Sequence, residues 1–328
     1  MSEDDHRNDD PKEPGLRPVL EILPRTLKPR RTLRDSLRTV DPFLVDPNAD
    51  GPILYQHSVL CQTCLPFRDP GAEIRAWERS NGIVSLVVAA GQAFNPDTRR
   101  FVDVGLPYGP KPRLVLYHLN AEALRTQSPY IELEDSLTAF VKRTLGLDTG
   151  GRNIRTVKDQ LSRLSASDFR IGTVTAEGRA VTLKGSVIEG FEIWVTKDPK
   201  QRTLWPSSVQ FSPRYFESLM KHAVPLNETA VVRLSHNAMA LDIYTWLAQR
   251  LHRVEEGKNV LVPWPALHGQ FGHGYERLRD FRRVFLRTLK LAKFVYPEAR
   301  FEITAGGMKL LHSRPPVARK YLPLPSRD

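Results

Sequence analysis

A mixed α+β fold in which one succession of elements occurs twice is predicted by three observations. Two amphipathic helical patterns, residues 236–253 and 275–293, flank a short apolar run at Val260–Val262 and a glycine turn at Gly272 and Gly274. Residues 299–304 and 308–312 alternate about Gly306-Gly307, which marks a hairpin. The same order of long helix, short strand, helix, turn, basic helix and strands can be read over 105–196. The fold class is therefore two tandem winged-helix domains, each a helix-turn-helix with a β-hairpin wing, behind a disordered N-terminal tail.

Composition sets the frame for that reading. A chain of 328 residues with 41% hydrophobic content makes about two ordinary domains with real cores. The formal net charge of +11 and a pI near 9.7 favour a polyanionic partner, nucleic acid ahead of a membrane surface. No apolar segment approaches the roughly 18 residues that span a bilayer, and Met1–Asp10 is acidic and polar rather than a signal peptide, so a cytoplasmic protein is expected. The only cysteines, Cys61 and Cys64, have His57 as their one nearby candidate co-ligand. They are read as reduced thiols, at least one of them buried, and not as a zinc site.

Residues 1–50 form a flexible tail, acidic to Glu13 and then basic and proline-rich from Arg17 to Arg38. The first domain is placed at 51–200. Residues 51–78 resist assignment, Ile83–Ala90 reads as a buried strand, and Phe101–Val104 is expected to pair with it across Asn95-Pro96-Asp97. The prolines of 105–113 lead into a helix to about Thr126 with Leu114, Tyr117, Ala121 and Leu124 inward. A strand at Tyr130–Leu133 and a helix capped by Asp135 or Ser136 follow. The next helix turns Ile154, Val157, Leu161 and Leu164 inward and Arg152, Arg155, Asp159 and Arg163 outward, before strands at 169–175, 179–183 and 191–195.

The second domain is placed at 201–314, after a Lys- and Pro-rich connection at 196–202, with a basic, proline-rich tail at 315–328. Trp205–Phe211 reads as a strand, and Ser212-Pro213 starts a helix that buries Phe216, Leu219 and Met220. A further helical turn is expected at 228–233. Ser235 then caps the helix carrying Ala240, Ile243, Tyr244, Leu247 and Leu251, and a short helix starts near Pro265. In the final helix, Leu278, Phe281, Phe285, Leu289 and Ala292 form the apolar stripe. Arg279, Arg283, Arg287 and Lys290 lie opposite, with little acid besides Glu276 and Asp280.

Catalytic chemistry finds no purchase in the sequence, and no cofactor or metal is expected. Gly109-Pro-Lys-Pro lacks the glycines and amides of a phosphate loop. The nine histidines are scattered, none paired as the metal-holding His-x-His of a nickase. His268 and His273, at the proposed turn, suit neutral polar or phosphate-contacting roles.

Several blocks, in order, carry a resemblance: Gly105-Leu-Pro-Tyr-Gly-Pro-Lys-Pro-Arg-Leu114, Leu124-Arg-Thr-Gln-Ser-Pro129, Leu204-Trp-Pro-Ser-Ser-Val209, Ala240-Leu-Asp-Ile-Tyr-Thr-Trp-Leu247 and Tyr296-Pro-Glu-Ala299. Over residues 55–313 the chain resembles the plasmid-encoded RepA replication initiator family. The resemblance implies a non-enzymatic protein that binds double-stranded plasmid origin DNA and helps a host replication initiator or helicase to open and load there. It also implies, by analogy with related initiators, that one domain serves dimerisation and the other groove reading. The tail and the Cys61/Cys64 pair lie outside its motifs.

The site expected from the residues is the helix from Tyr275 in a major groove. Arg279, Arg283 and Arg287 would reach guanine edges, Arg282, Lys290 and Lys309 would hold phosphates, and Arg314 would add a contact beside the wing. Arg152, Arg155 and Arg163 of the first domain form a second candidate contact, or support a homodimer. A repressor with no replication role is the competing expectation, since it would dock on DNA through the same residues.

Overall fold

The computed structural model describes residues 52–81, 84–95, 98–133, 139–145, 147, 149–174, 180–193 and 206–317. The tail at 1–50, the connection at 196–202, the cap expected at Asp135 or Ser136 and residues 318–328 lie outside them.

The first described strand, β1 (Ile53–His57), runs directly into the short helix α1 (Ser58–Gln62) because His57 caps it, its Nδ1 accepting from the Val59 amide at 3.2 Å. Strands β2 (Ala76–Ser80) and β3 (Val84–Ala89) follow, then the hairpin β4 (Gln92–Asn95) and β5 (Arg100–Asp103), which pair only with each other. Phe101–Val104 therefore does not join β3 as expected. β3, buried on alternate residues, has both edges filled by β2 and by β7 (Asp168–Val174).

Helix α2 (Pro110–Thr126) begins at Gly109, whose φ of 75° a side chain would resist, with prolines in its first turn. Strand β6 (Tyr130–Glu132), a π-helical turn at Phe140–Thr144 and helix α3 (Gly151–Ser165) come next. Then follow β7, β8 (Ala180–Ser186), β9 (Ile188–Ile193) and β10 (Pro206–Phe211). Helix α4 (Pro213–His222), capped by Ser212, buries Tyr215 and Leu219, while Met220 is exposed and Phe216 half-buried, which corrects the expected face.

Strand β11 (Ala223–Asn227) leads into α5 (Glu228–Leu234) and α6 (Ala238–Arg250). Ser235 is not the cap at the start of α6 but the C-cap that ends α5. Asn237 is the cap, its Oδ1 accepting from the Ala240 amide at 3.0 Å, because α5, started by Asn227, already uses the turn at Ser235. Strand β12 (Asn259–Pro263), helix α7 (Trp264–Phe271), helix α8 (Leu278–Val295) and strands β13 (Phe301–Ile303) and β14 (Gly307–Leu311) follow among the described residues.

Helices α2 and α6 decide the packing. Both are enclosed along most of their length, polar residues included, so they lie inside the molecule instead of on it. Around them stand antiparallel sheets in the orders β2-β3-β7-β8, β6-β10-β9 and β12-β14-β13, together with the pair β1-β11. Two of these sheets cross the boundary expected at 200/201: Ile53 faces Asn227, and Val209 lies between Ile131 and Phe191. In the first copy the hairpin β7/β8 pairs with β3 and not with β6, so its sheet order differs from that of the second copy. Among the described residues, no helix is long and apolar enough to cross a membrane.

Candidate nucleic-acid interface

The sealed side of α8 consists of Phe281, Phe285, Thr288, Leu289, Ala292 and Val295. Its aromatic rings interlock with neighbours: Phe285 lies 5.5 Å from Phe271, which is 5.6 Å from Trp246 of α6, and Phe281 is 5.2 Å from His268. The polar hydroxyl among them, on Thr288, is satisfied by the Val284 carbonyl at 2.9 Å. With one face fixed so firmly, the opposite face must point away from the core.

Arg279, Arg283, Arg287 and Lys290 are all exposed there. Asp280 approaches Arg283 at 3.3 Å, but the arginine side chain is 79% exposed, so the pair contributes little and leaves the guanidinium available. Lys293 is not part of this face in function, because its Nζ donates to the carbonyls of Pro297 and Ala299 at 2.6 and 2.7 Å and closes the turn after the helix. Helix α8 begins at Leu278 and not at Tyr275. The preceding turn is held by Gly274 at φ 82° and by His268 Nε2, 2.8 Å from the Tyr275 carbonyl.

The hairpin β13/β14 is locked beside this helix. The Trp264 amide donates to Gly306 O at 3.1 Å and its indole to Thr304 O at 3.2 Å. A Cβ at Gly307 would stand 2.2 Å from the Val262 oxygen, so only glycine fits there. Arg282 stacks over the Trp264 ring at 4.4 Å, half-buried, which ties α8 to the start of α7. Lys309 is half-buried in the middle strand, opposite Leu261 and Glu302, and Arg314 is exposed beyond it.

In the first half, Arg152 and Arg155 are exposed on α3, but Arg163 is not. Its Nε meets Asp159 at 3.0 Å, its guanidinium lies 3.8 Å from Asp69 and 5.1 Å from the Tyr108 ring, and it donates to the Leu106 carbonyl at 3.3 Å. Its charge is taken up within the fold. Lys158 is exposed on the same side as Arg155. Sequence reasoning missed it, although its i+3 spacing from Arg155 was a usable signal.

Cys61 and Cys64 are both buried and unpaired, and among the described residues no group of three or more His, Cys, Asp or Glu could hold a metal ion. His273, exposed, packs its ring 4.3 Å from Trp77.

Residues 106–264 match the family described as "Plasmid encoded RepA protein", a span from the approach to α2 as far as the first residue of α7. Among solved structures, the chain resembles selenomethionine derivatives of domains 2 and 3 of RctB, with a TM-score of 0.46 and 10% identity over 71% of this chain and 83% of that one. A second crystal structure of RctB domains 2-3 gives a TM-score of 0.45 and 10% identity over 71% and 82%. No curated protein matches the sequence.

Proposed function

We infer, from a chain that belongs to the plasmid-encoded RepA family, that this protein is a plasmid replication initiator that binds double-stranded origin DNA and acts without catalysing a reaction. The observation that carries the reading is the division of α8 into a sealed aromatic face and an exposed face bearing Arg279, Arg283, Arg287 and Lys290. A helix fixed in this way fits a major groove. The order α6, β12, α7, α8, β13, β14, with strand order β12-β14-β13, supports a winged helix with α8 as its recognition helix.

In this mechanism Arg279, Arg283 and Arg287 offer paired donors to guanine O6 and N7, while Lys290, Arg282, Lys309 and Arg314 hold phosphates on either side of the groove. Arg152, Lys158 and Arg155 of α3 form a second, sequence-independent contact or support a homodimer. Binding at origin repeats presents the protein to a host replication initiator or helicase in the cytoplasm. No membrane, metal or cofactor enters the scheme.

Footprinting on DNA flanking the gene tests the reading, with protection expected at helical-turn spacing. If Arg279→Ala and Arg283→Ala variants discriminate origin from random DNA as the unaltered protein does, α8 is not the reader. A small circle carrying the gene and its flanking repeats should persist in a host. Its loss with promoter binding retained would make the protein a repressor.

A further inference from the structure

The hairpin β4/β5 contributes almost nothing to the core, yet it is firmly anchored. Arg75 clamps its neck, donating to the carbonyls of Val104, Ala90 and Gly91 at 2.7, 3.2 and 3.1 Å while pairing with Asp103 at 3.2 Å. Gly91 lies so near the end of α3 that a Cβ would stand 2.0 Å from the Ala166 oxygen. An isolated two-stranded ribbon is marginal in water, so this clamp is what holds the ribbon in place.

What the ribbon displays is apolar and aromatic. Phe94 and Phe101 face each other across it with ring centroids 5.5 Å apart, and they are 50% and 67% exposed. Arg99 and Arg100, both exposed, stand at its far end, two and three positions after Asp97 in the sequence. Its neck meets the C-terminal end of α3, and Arg152, Arg155 and Lys158 are exposed farther back along that helix. Flat rings beside cations match a ligand with flat apolar faces strung on an anionic backbone.

We propose that the β4/β5 hairpin binds single-stranded DNA, stacking Phe94 and Phe101 on unpaired bases while Arg99, Arg100 and the basic side of α3 hold the backbone. The proposal rests on the reading of this chain as a DNA-binding initiator. Stacking energy decides for the single strand. In a duplex the base faces are already occupied, and a phenylalanine must first force a step apart, whereas an unpaired base presents its face without that penalty. Phenylalanine has no hydrogen-bonding group with which to read base edges instead.

The test uses the full chain and fluorescence anisotropy, with a labelled oligo-dT and a labelled origin duplex. Truncating one stacking ring weakens single-strand binding by roughly five- to a hundredfold. F94A/F101A should therefore bind oligo-dT at least about tenfold more weakly. Its duplex affinity and melting temperature should stay the same, and F94Y/F101Y, which keeps the rings, should retain single-strand affinity. Four results overturn the proposal: no oligo-dT binding by the unaltered chain, equal single-strand affinity in F94A/F101A, equal losses on both DNAs, or conversion of a dimer to a monomer in F94A/F101A with oligo-dT binding intact. The last would assign the ribbon to a second copy of the chain. Failure of the unaltered chain to bind the duplex would instead sink the initiator reading, leaving the oligo-dT comparison still interpretable.

Discussion

Arg113 and Asp242, 129 positions apart in the chain, join α2 to α6 through two hydrogen bonds of 2.6 Å that are almost wholly sealed from solvent. The remaining guanidinium donors reach the carbonyls of Leu65 and Gly109 at 2.7 Å. Burial pushes the Asp242 carboxyl above the usual range, and the Arg113 guanidinium restrains that rise. Such a pair fixes which helices meet more than it adds stability, because each charge has lost its water.

Removing one partner should therefore do far more damage than removing both. Asp242→Ala is expected to lower unfolding free energy by about 3 to 5 kcal/mol, because Arg113 is left buried and unpaired. The double substitution Arg113→Met with Asp242→Leu should lose less than either single change. Urea unfolding of the three variants checks this, and additive losses would contradict it.

Acid should weaken the fold through His57 and His118, both lowered to about 4 chiefly by burial, with His222 adding to the effect on His57. His57 Nδ1 accepts from the Val59 amide, so Nε2 carries the proton and donates to Ser218 Oγ at 2.9 Å. Protonation would remove the cap of α1. With a folded value of about 4 and an unfolded one near 6.5, the unfolded chain binds more protons between them. The stability is present above about pH 6.5 and is lost as pH falls towards 4, by about 2 to 3 kcal/mol per histidine at pH 4.5. His57→Asn keeps an oxygen for the cap without the titration. The difference in urea stability between pH 7.5 and 4.5 should shrink by about that amount in this variant.

How much of this was legible in sequence depended on whether the signal was local. The α7, α8 and β13/β14 unit was legible because period 3.6 and the Gly306-Gly307 turn act within a few residues. The inward face of α8 was read correctly from Leu289 back to Phe281, though Leu278 is exposed. The pairing of β1 with β11 was not legible, since neither strand carries a mark of its distant partner. In sequence, α2 has one inward face, Leu114, Tyr117, Ala121 and Leu124, which does not include the polar Arg113, His118 and Asn120. They are nonetheless buried, and Asn120 is satisfied by Tyr55 O at 3.1 Å and by the Tyr215 hydroxyl at 2.9 Å. Arg163 fails in the opposite way. Helical spacing puts it outside, but the segment bearing Asp69 and Leu106, placed by long-range packing, closes over it.

That contrast separates two kinds of arginine experimentally. Arg279→Ala should weaken origin binding by about 1 to 3 kcal/mol and relax preference at one base position. Lys290→Ala, at a phosphate, should weaken binding evenly across sequences and lower the salt slope by about 1. Arg163→Ala should leave both DNA affinity and salt slope unaltered while lowering the melting temperature. A salt titration of all three by anisotropy checks the division, and a reduced salt slope for Arg163→Ala would return it to the interface.

The two cysteines report on the same central contact. Burial first, and then the Asp242 carboxylate, push both thiols above the usual cysteine range, so almost no thiolate exists near pH 8 in the folded chain. Modification by a disulfide reagent must wait for α1 to open, and its rate should follow the opening equilibrium and not reagent access to a surface. At pH 8 the native protein should react slowly, and the urea-unfolded protein at the rate of a free thiol. Asp242→Ala removes the neighbouring carboxylate, which by itself would favour the thiolate, but it also loosens the packing of α2 on α6. Adding origin DNA distinguishes the two effects. If opening limits the reaction, DNA that stabilises the fold should slow modification of this variant in proportion to its affinity, whereas a shift in thiolate fraction alone would leave the rate unaffected by DNA.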